Sequence, residues 1–362
     1  MKRYLIGVIL VSLLMSMAAV SATAQAIQNV ELHGYMQNRF YAPESGNMRI
    51  VAERISISAR ATVNETSTAY VEIYHHPYIT AAEPAEQYRT YVESAYYDMP
   101  LGAGRLRFGK GRQLNFGIVP TATNRKTTQY GIVPETFTKD RIVGAQYTRK
   151  SGIFDGGISL YTDTSLGTSN IGDYPSVDAA DVVKHYVDKD IPSNLSGEMA
   201  ASIRFGISKP CFQAHISGAT GQLNETDIAT LNGVYGLAST DDAHNKYGAD
   251  ATYAHGNFVA QAEYYVGNFS FLKITGYNLL VGYTLPKQQR ITLRYNALDN
   301  DRAAVAGQTQ TYDTQQWILG FVQPIAKNVW AEFQYEKNSA DVPAGSPEPS
   351  NDLLFVELFT GF

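Results

Sequence analysis

The sequence predicts an all-β fold: a transmembrane antiparallel β-barrel of about sixteen strands. Three observations carry this reading. Apolar and polar residues alternate with a period of two through most of the chain. The links between alternating segments are short and long by turns. The chain closes on an apolar strand, NDLLFVELFTGF, from Asn351 to Phe362. There Leu354, Val356, Leu358, Thr360 and Phe362 share one face, and Leu353, Phe355, Glu357 and Phe359 share the other. An open apolar edge invites aggregation, whereas pairing with the first strand closes a barrel and removes both edges.

The first residues stand apart from this pattern. Lys2 and Arg3 precede a mostly apolar stretch from Leu5 to Val20, and Ala24-Gln25-Ala26 supplies a small-residue cleavage site. Residues 1–26 are expected to be a secretory signal peptide cut after Ala26, and residues 27–362 a single barrel domain. The leader takes two of the 29 basic residues, leaving 27 against 34 acidic ones. That mildly acidic balance argues against a nucleic-acid partner. No other segment approaches the roughly 20 continuous apolar residues of a membrane helix. A mean hydropathy of −0.21 suits a chain whose lumen-facing and lipid-facing residues alternate. The 25 Tyr, 15 Phe and 30 Gly suit strands with aromatic girdles and tight turns. Cys211 is the single cysteine, so an intramolecular disulfide framework is excluded.

The alternation is clearest over Arg54 to Val63, where Ile55, Ile57, Ala59, Ala61 and Val63 interleave with Arg54, Ser56, Ser58, Arg60 and Thr62. It recurs around Ile73, Ile203, Ala262, Leu293 and Phe333. The full set of expected strands is 28–41, 50–63, 67–76, 88–98, 104–112, 139–149, 152–162 and 197–208, then 210–219, 246–255, 257–267, 274–285, 288–298, 312–323, 328–337 and 350–362. Their lengths lie near the ~9–11 residues that a tilted membrane strand requires. Tight turns rich in Gly, Pro and Asn are expected at 64–66, 100–103, 150–151, 209–210, 256, 286–287 and 325–327. Longer links are expected at 42–49, 77–87, 113–138, 163–196, 220–245, 299–311 and 338–350, with 268–273 as a short exception. Short turns on one rim and long loops on the other place both termini on the periplasmic side of a barrel.

The terminal strand, with Phe362 last and Leu358 and Val356 at alternate positions, resembles the insertion signal of bacterial outer-membrane β-barrel proteins. That resemblance implies outer-membrane localisation, contact with membrane lipid and lipopolysaccharide, and assembly by the barrel-assembly machinery. A second resemblance rests on Gly34-Tyr35-Met36-Gln37-Asn38-Arg39 and on the stretch from Arg105 to Tyr147. Gly109, Lys110, Phe116, Gly117, Arg141 and Gly144 there match a segment with GK followed by FG, and an R-x-x-G return. This is similar to the phosphate-selective porin O/P family. It implies a homotrimeric diffusion channel whose third external loop, Gln113 to Lys139, folds inward to narrow the pore.

The residues themselves suggest a basic constriction. Arg105 and Arg107 share a face opposite Leu106 and Phe108 and are expected to point into the lumen. Lys110 and Arg112 fall on the other parity, and a bulge at Gly109 or Gly111 would restore them inward. Arg54 and Arg60 on the second strand, with Arg125, Lys126, Lys139 and Arg141 around the loop, would complete a cationic patch favouring anions. The competing reading is that these charges pair with Glu72, Glu93 and Asp140 and stiffen the wall.

Other motifs carry less. Gly109-Lys110-Gly111-Arg112 lacks the spacing of a phosphate loop and no helix follows it. The acidic link holding Asp163, Asp173, Asp178, Asp181, Asp188 and Asp190 matches no calcium loop, so no metal or cofactor is expected. None of His33, His75, His76, His185, His215, His244 and His255 sits in a catalytic motif. A barrel of sixteen strands is also wide enough to leave an aqueous channel. The expected function is therefore passive diffusion of small hydrophilic solutes or anions, not catalysis. The alternatives are an outer-membrane barrel enzyme, marked by Ser or Asp with His on the outer rim, and a surface adhesin with a plugged lumen.

Overall fold

A computed structural model describes residues 27–44, 48–80, 83–119, 121, 124, 126–127, 130–164, 195–306, 311–345 and 352–362. The leader, Arg125 and most of the acidic link lie outside these residues. Sixteen strands follow one another: β1 Ile27–Pro43, β2 Arg49–Val63, β3 Ser67–Thr80, β4 Glu83–Leu101, β5 Gly104–Arg112, β6 Arg141–Ser151, β7 Phe154–Thr164 and β8 Leu195–Lys209. The second half comprises β9 Phe212–Gln222, β10 Ala243–His255, β11 Phe258–Phe269, β12 Leu272–Thr284, β13 Arg290–Asn300, β14 Thr314–Ala326, β15 Val329–Ala340 and β16 Leu353–Gly361. Each pairs antiparallel with its sequence neighbours, and β16 pairs with β1 to close the barrel. The closing bonds are reciprocal: Gly34 N–H donates to the Phe362 carbonyl at 2.9 Å, and Phe362 N–H to the Gly34 carbonyl at 2.9 Å.

The alternation sorts the two faces of the wall. Leu32, Ile57, Ile203, Ile216, Leu279 and Leu319 are exposed on the outside. Tyr247, Tyr264, Tyr277, Tyr335 and Trp317 share that face. Inward positions carry Gln37, Ser56, Gln146, Asn278, Asn296 and Gln334, all buried. Polar inside and apolar outside is the arrangement that a membrane, not water, stabilises. Turns such as Gly256 and Asn328, at φ 57° and 60°, use residues that tolerate left-handed backbone.

Two departures from the sequence reading have local causes. Of the link expected over 77–87, residues 77–80 and 83–87 are instead strand, with Pro77 opposite Tyr88. The β2–β3 ladder ends at Ile55–His75 and the β4–β5 ladder at Ala95–Lys110, so the outer parts of β3 and β4 form a ribbon with free edges. A proline is tolerated on such an edge. The link after β9 contains a helix, α2, Glu225–Tyr235. Its Asn224 side chain accepts from Asp227 N–H at 2.8 Å, and it ends at Gly236 in the left-handed region. A shorter helix, α1, Ile132–Phe137, lies in the link between β5 and β6.

The hydrophobic core sits inside the barrel. Phe116, Ile132, Val133 and Phe137 pack with Tyr265, Phe269, Leu272, Ile274 and Leu298 of the wall. Ile228, Leu231 and Tyr235 of α2 cover the cluster. The lumen is thus narrowed by a packed plug along one side.

Candidate pore constriction

The described residues of the link Gln113 to Asp140 cross the lumen, and their hydrogen bonds trace the path. Gly117 N–H donates to Ser217 Oγ at 3.2 Å on β9, and Ile118 N–H donates to the Tyr265 hydroxyl at 3.2 Å on β11. Gln261 Nε2 donates to the Asn124 carbonyl at 2.9 Å. Arg294 on β13 donates to Thr127 Oγ1 at 3.0 Å and to the Tyr130 carbonyl. Ile132 N–H donates to Gln316 Oε1 at 3.2 Å on β14. The chain then returns, with Lys246 Nζ bonding the Phe137 carbonyl at 3.3 Å and Asp140 at 2.8 Å. Gly117 has φ 57°, and a Cβ there would meet the Tyr265 hydroxyl at 2.5 Å. Only glycine fits this crossing.

The basic residues singled out in the sequence take different places. Arg54 is buried, its guanidinium 4.7 Å from the Tyr74 ring centroid. Arg60 is exposed and lies 5.8 Å from the Tyr70 centroid. Arg105 and Arg107 share Asp98, at 2.5 Å and 3.3 Å. Arg112, at the end of β5, donates to the Tyr130 hydroxyl at 3.4 Å, which joins wall to loop. Lys139 pairs with Glu135 at 2.9 Å, and Arg141 is buried against Glu93.

Lys110 is a correction. Both ladders of β5 run without a register shift, so it pairs with Ala95 and Val143 and keeps outward parity. Its ammonium donates to the Val92 carbonyl at 2.7 Å. The bulge lies across the ladder instead, at Glu93 on β4. That bulge turns Glu93 and Ser94 both inward, where Glu93 meets Arg141. A second bulge on β2 turns Glu53 inward beside Arg54. Arg39 then bonds Glu53 at 3.2 Å and Glu357 at 2.5 Å, a network the sequence reading missed.

It also missed Arg290 and Arg294. They share the inward face of β13, which period two makes legible, but nothing local couples them to the loop. Lys126, at φ 61° in the loop, is held below the usual lysine range by burial and by Arg290 nearby. Among the terminal residues Leu358 and Phe362 are exposed outside and Val356 half-buried. Buried histidines meet carboxylates in the wall, His215 with Asp155 at 2.8 Å and His244 with Asp163 at 2.7 Å. Among the described residues no group of three or more His, Cys, Asp or Glu is arranged to hold a metal ion.

A closed sixteen-strand antiparallel barrel with a long link folded across its interior has the architecture of bacterial outer-membrane porins. No family model and no curated protein sequence matches the chain. Solved structures do. OmpF of Salmonella typhi, in complex with daunomycin, aligns at a TM-score of 0.64 and 14% identity, covering 93% of this chain and 100% of that one. OmpT, an outer membrane protein of Vibrio cholerae in a trimer form, aligns at 0.56 and 14%, covering 92% and 99%. An anion-selective porin from Comamonas acidovorans aligns at 0.55 and 11%, covering 92% and 99%. At such identities the likeness is one of fold.

Proposed function

We propose that this protein is an outer-membrane porin, passing small hydrophilic solutes by diffusion with a preference for anions. The observation that supports a channel is the loop crossing: it narrows one side of a sixteen-strand lumen and leaves polar wall opposite. The preference follows from which charges remain accessible. Glu53, Glu93, Asp250, Glu263, Glu336 and Glu357 are all buried in the wall. Arg60 and Arg105 are exposed, and Arg107, Arg112, Lys126 and Arg290 are half-buried. Half-buried Glu72, Asp98 and Asp155 offset part of this charge, Asp98 by pairing with Arg105 and Arg107; the accessible basic groups that remain favour anion entry by field and hydrogen bonding.

The same reading takes a general anion preference over a phosphate-specific site. Of the residues that carry the resemblance to phosphate-selective porins, Lys110 keeps outward parity and Arg141 is neutralised by Glu93. Cleavage of residues 1–26, assembly of the terminal strand by the barrel-assembly machinery, a homotrimer, and lipid and lipopolysaccharide around the apolar wall belong to this proposal. The test is reconstitution of detergent-purified protein into a planar bilayer under a KCl gradient. Discrete steps with an anion-directed reversal potential support the reading. A cation-directed potential refutes the preference, and a folded barrel without steps refutes the channel.

A further inference from the structure

The inner wall near the short-turn rim holds an ordered stack that simple diffusion does not require. Arg60, Tyr70 and Tyr96 are register neighbours on β2, β3 and β4. The Tyr70 and Tyr96 rings lie 5.0 Å apart and 32° from parallel. Arg60 sits over the Tyr70 ring at 5.8 Å, and Arg107 over the Tyr96 ring at 3.9 Å. The order across the wall is therefore guanidinium, ring, ring, guanidinium. Gly109 and Gly111, on the inward face of β5, leave room for the Tyr96 ring to lie across that strand.

Two features set this stack apart from a wall-stiffening contact. Both tyrosines are half-exposed to the lumen, where an aqueous channel gains nothing from aromatic surface. Arg60 is exposed and forms no ion pair among the described residues, while Glu72, two residues from Tyr70 on the same face, bonds the Tyr70 hydroxyl. The register partner of Arg60, Glu31, faces His33 instead, at 3.6 Å. A guanidinium held over a ring has its free face and its N–H edge turned to solvent. That planar guanidinium offers a flat cationic face.

We propose that this stack binds small anions carrying a flat ring, the aromatic carboxylate class: the ring packs on the Arg60 platform and the Tyr edges while the carboxylate takes the N–H edge. The inference rests on the channel reading above and names a solute class for it. A non-planar anion of similar size makes the same charge contact without the stacking.

The test is current block in reconstituted channels bathed in KCl, with benzoate, cyclohexanecarboxylate or acetate added at equal concentration. Benzoate is expected to block saturably and about two- to five-fold more tightly than cyclohexanecarboxylate, the factor one exposed cation–π contact supplies. Arg60→Lys keeps the charge and loses the platform, so it should abolish the difference between benzoate and cyclohexanecarboxylate. Tyr96→Leu should do the same. Equal block by benzoate and cyclohexanecarboxylate, or a difference that survives Arg60→Lys, overturns the proposal. A cation-directed reversal potential with benzoate block retained would sink the anion preference and keep the stack. An anion-directed potential without discrimination sinks the stack alone.

Discussion

Arg294→Met tests whether the crossing loop sets the pore. Arg294 is 2% exposed and donates to Thr127 Oγ1 and the Tyr130 carbonyl, holding the loop tip against β13. A buried hydrogen bond from a charged donor contributes about 1.5–3 kcal/mol. Losing the two weakens the tip by about 3–6 kcal/mol, less the packing that the methionine stem restores. At 1.4 kcal/mol per tenfold, a net loss of about 3 kcal/mol raises the detached population about a hundredfold. The remainder of the loop stays held through Tyr265, Gln316 and Lys246, and the wall ladder is untouched. The variant should therefore fold and retain heat-modifiable migration, with larger single-channel conductance and more open-channel noise. Unchanged conductance and noise in a folded variant would refute the loop as the constriction.

The remaining expectations concern charge and wall. Lys126 is held below the ordinary lysine range, so its charge is lost as pH rises through that lowered value, earlier than in an unfolded chain. Anion preference should weaken on raising the pH toward alkaline values, and Lys126→Met should remove that leg of the profile; reversal potentials measured across the range decide it. Asp98→Asn frees Arg105 and Arg107 from their shared carboxylate, so the reversal potential should move further toward anions, and a move toward cations would contradict the assigned pairing. Leu319→Lys places a charge on the exposed outer face of β14 and should cost about 2–4 kcal/mol in lipid if that position lies near the bilayer midplane. Urea unfolding from vesicles measures this, and an unaffected midpoint would place β14 outside the hydrocarbon.

The wall was legible in the sequence because its determinants are local. Period-two alternation and turn chemistry fix strand and turn over a few residues, and all sixteen strands answer to an expected segment. The long β3–β4 ribbon was hidden because its outer part falls on the link expected over 77–87, and the edge that tolerates Pro77 exists only where β2 has ended. Helix α2 did carry local signals, Asn224 and Gly236, but they were read as part of a loop.

The constriction was legible in residue type and obscure in pairing, for a reason that lies in the bulges. Parity arguments assume an unbroken ladder, and Gly109 and Gly111 drew attention to β5 as the place where it breaks. The break is on β4, at Glu93, and on β2, at Glu53; each adds a carboxylate to the inward face. Arg141 and Arg39 find their partners through those two insertions. The loop's own anchors join residues more than 100 positions apart, as Lys246 to Phe137 and Arg294 to Tyr130 do. Sequence spacing carries no trace of such contacts, so a cationic cluster read from composition becomes a set of compensated pairs with a smaller accessible remainder. That remainder, Arg60 and Lys126 above all, is where the selectivity of this barrel is open to measurement.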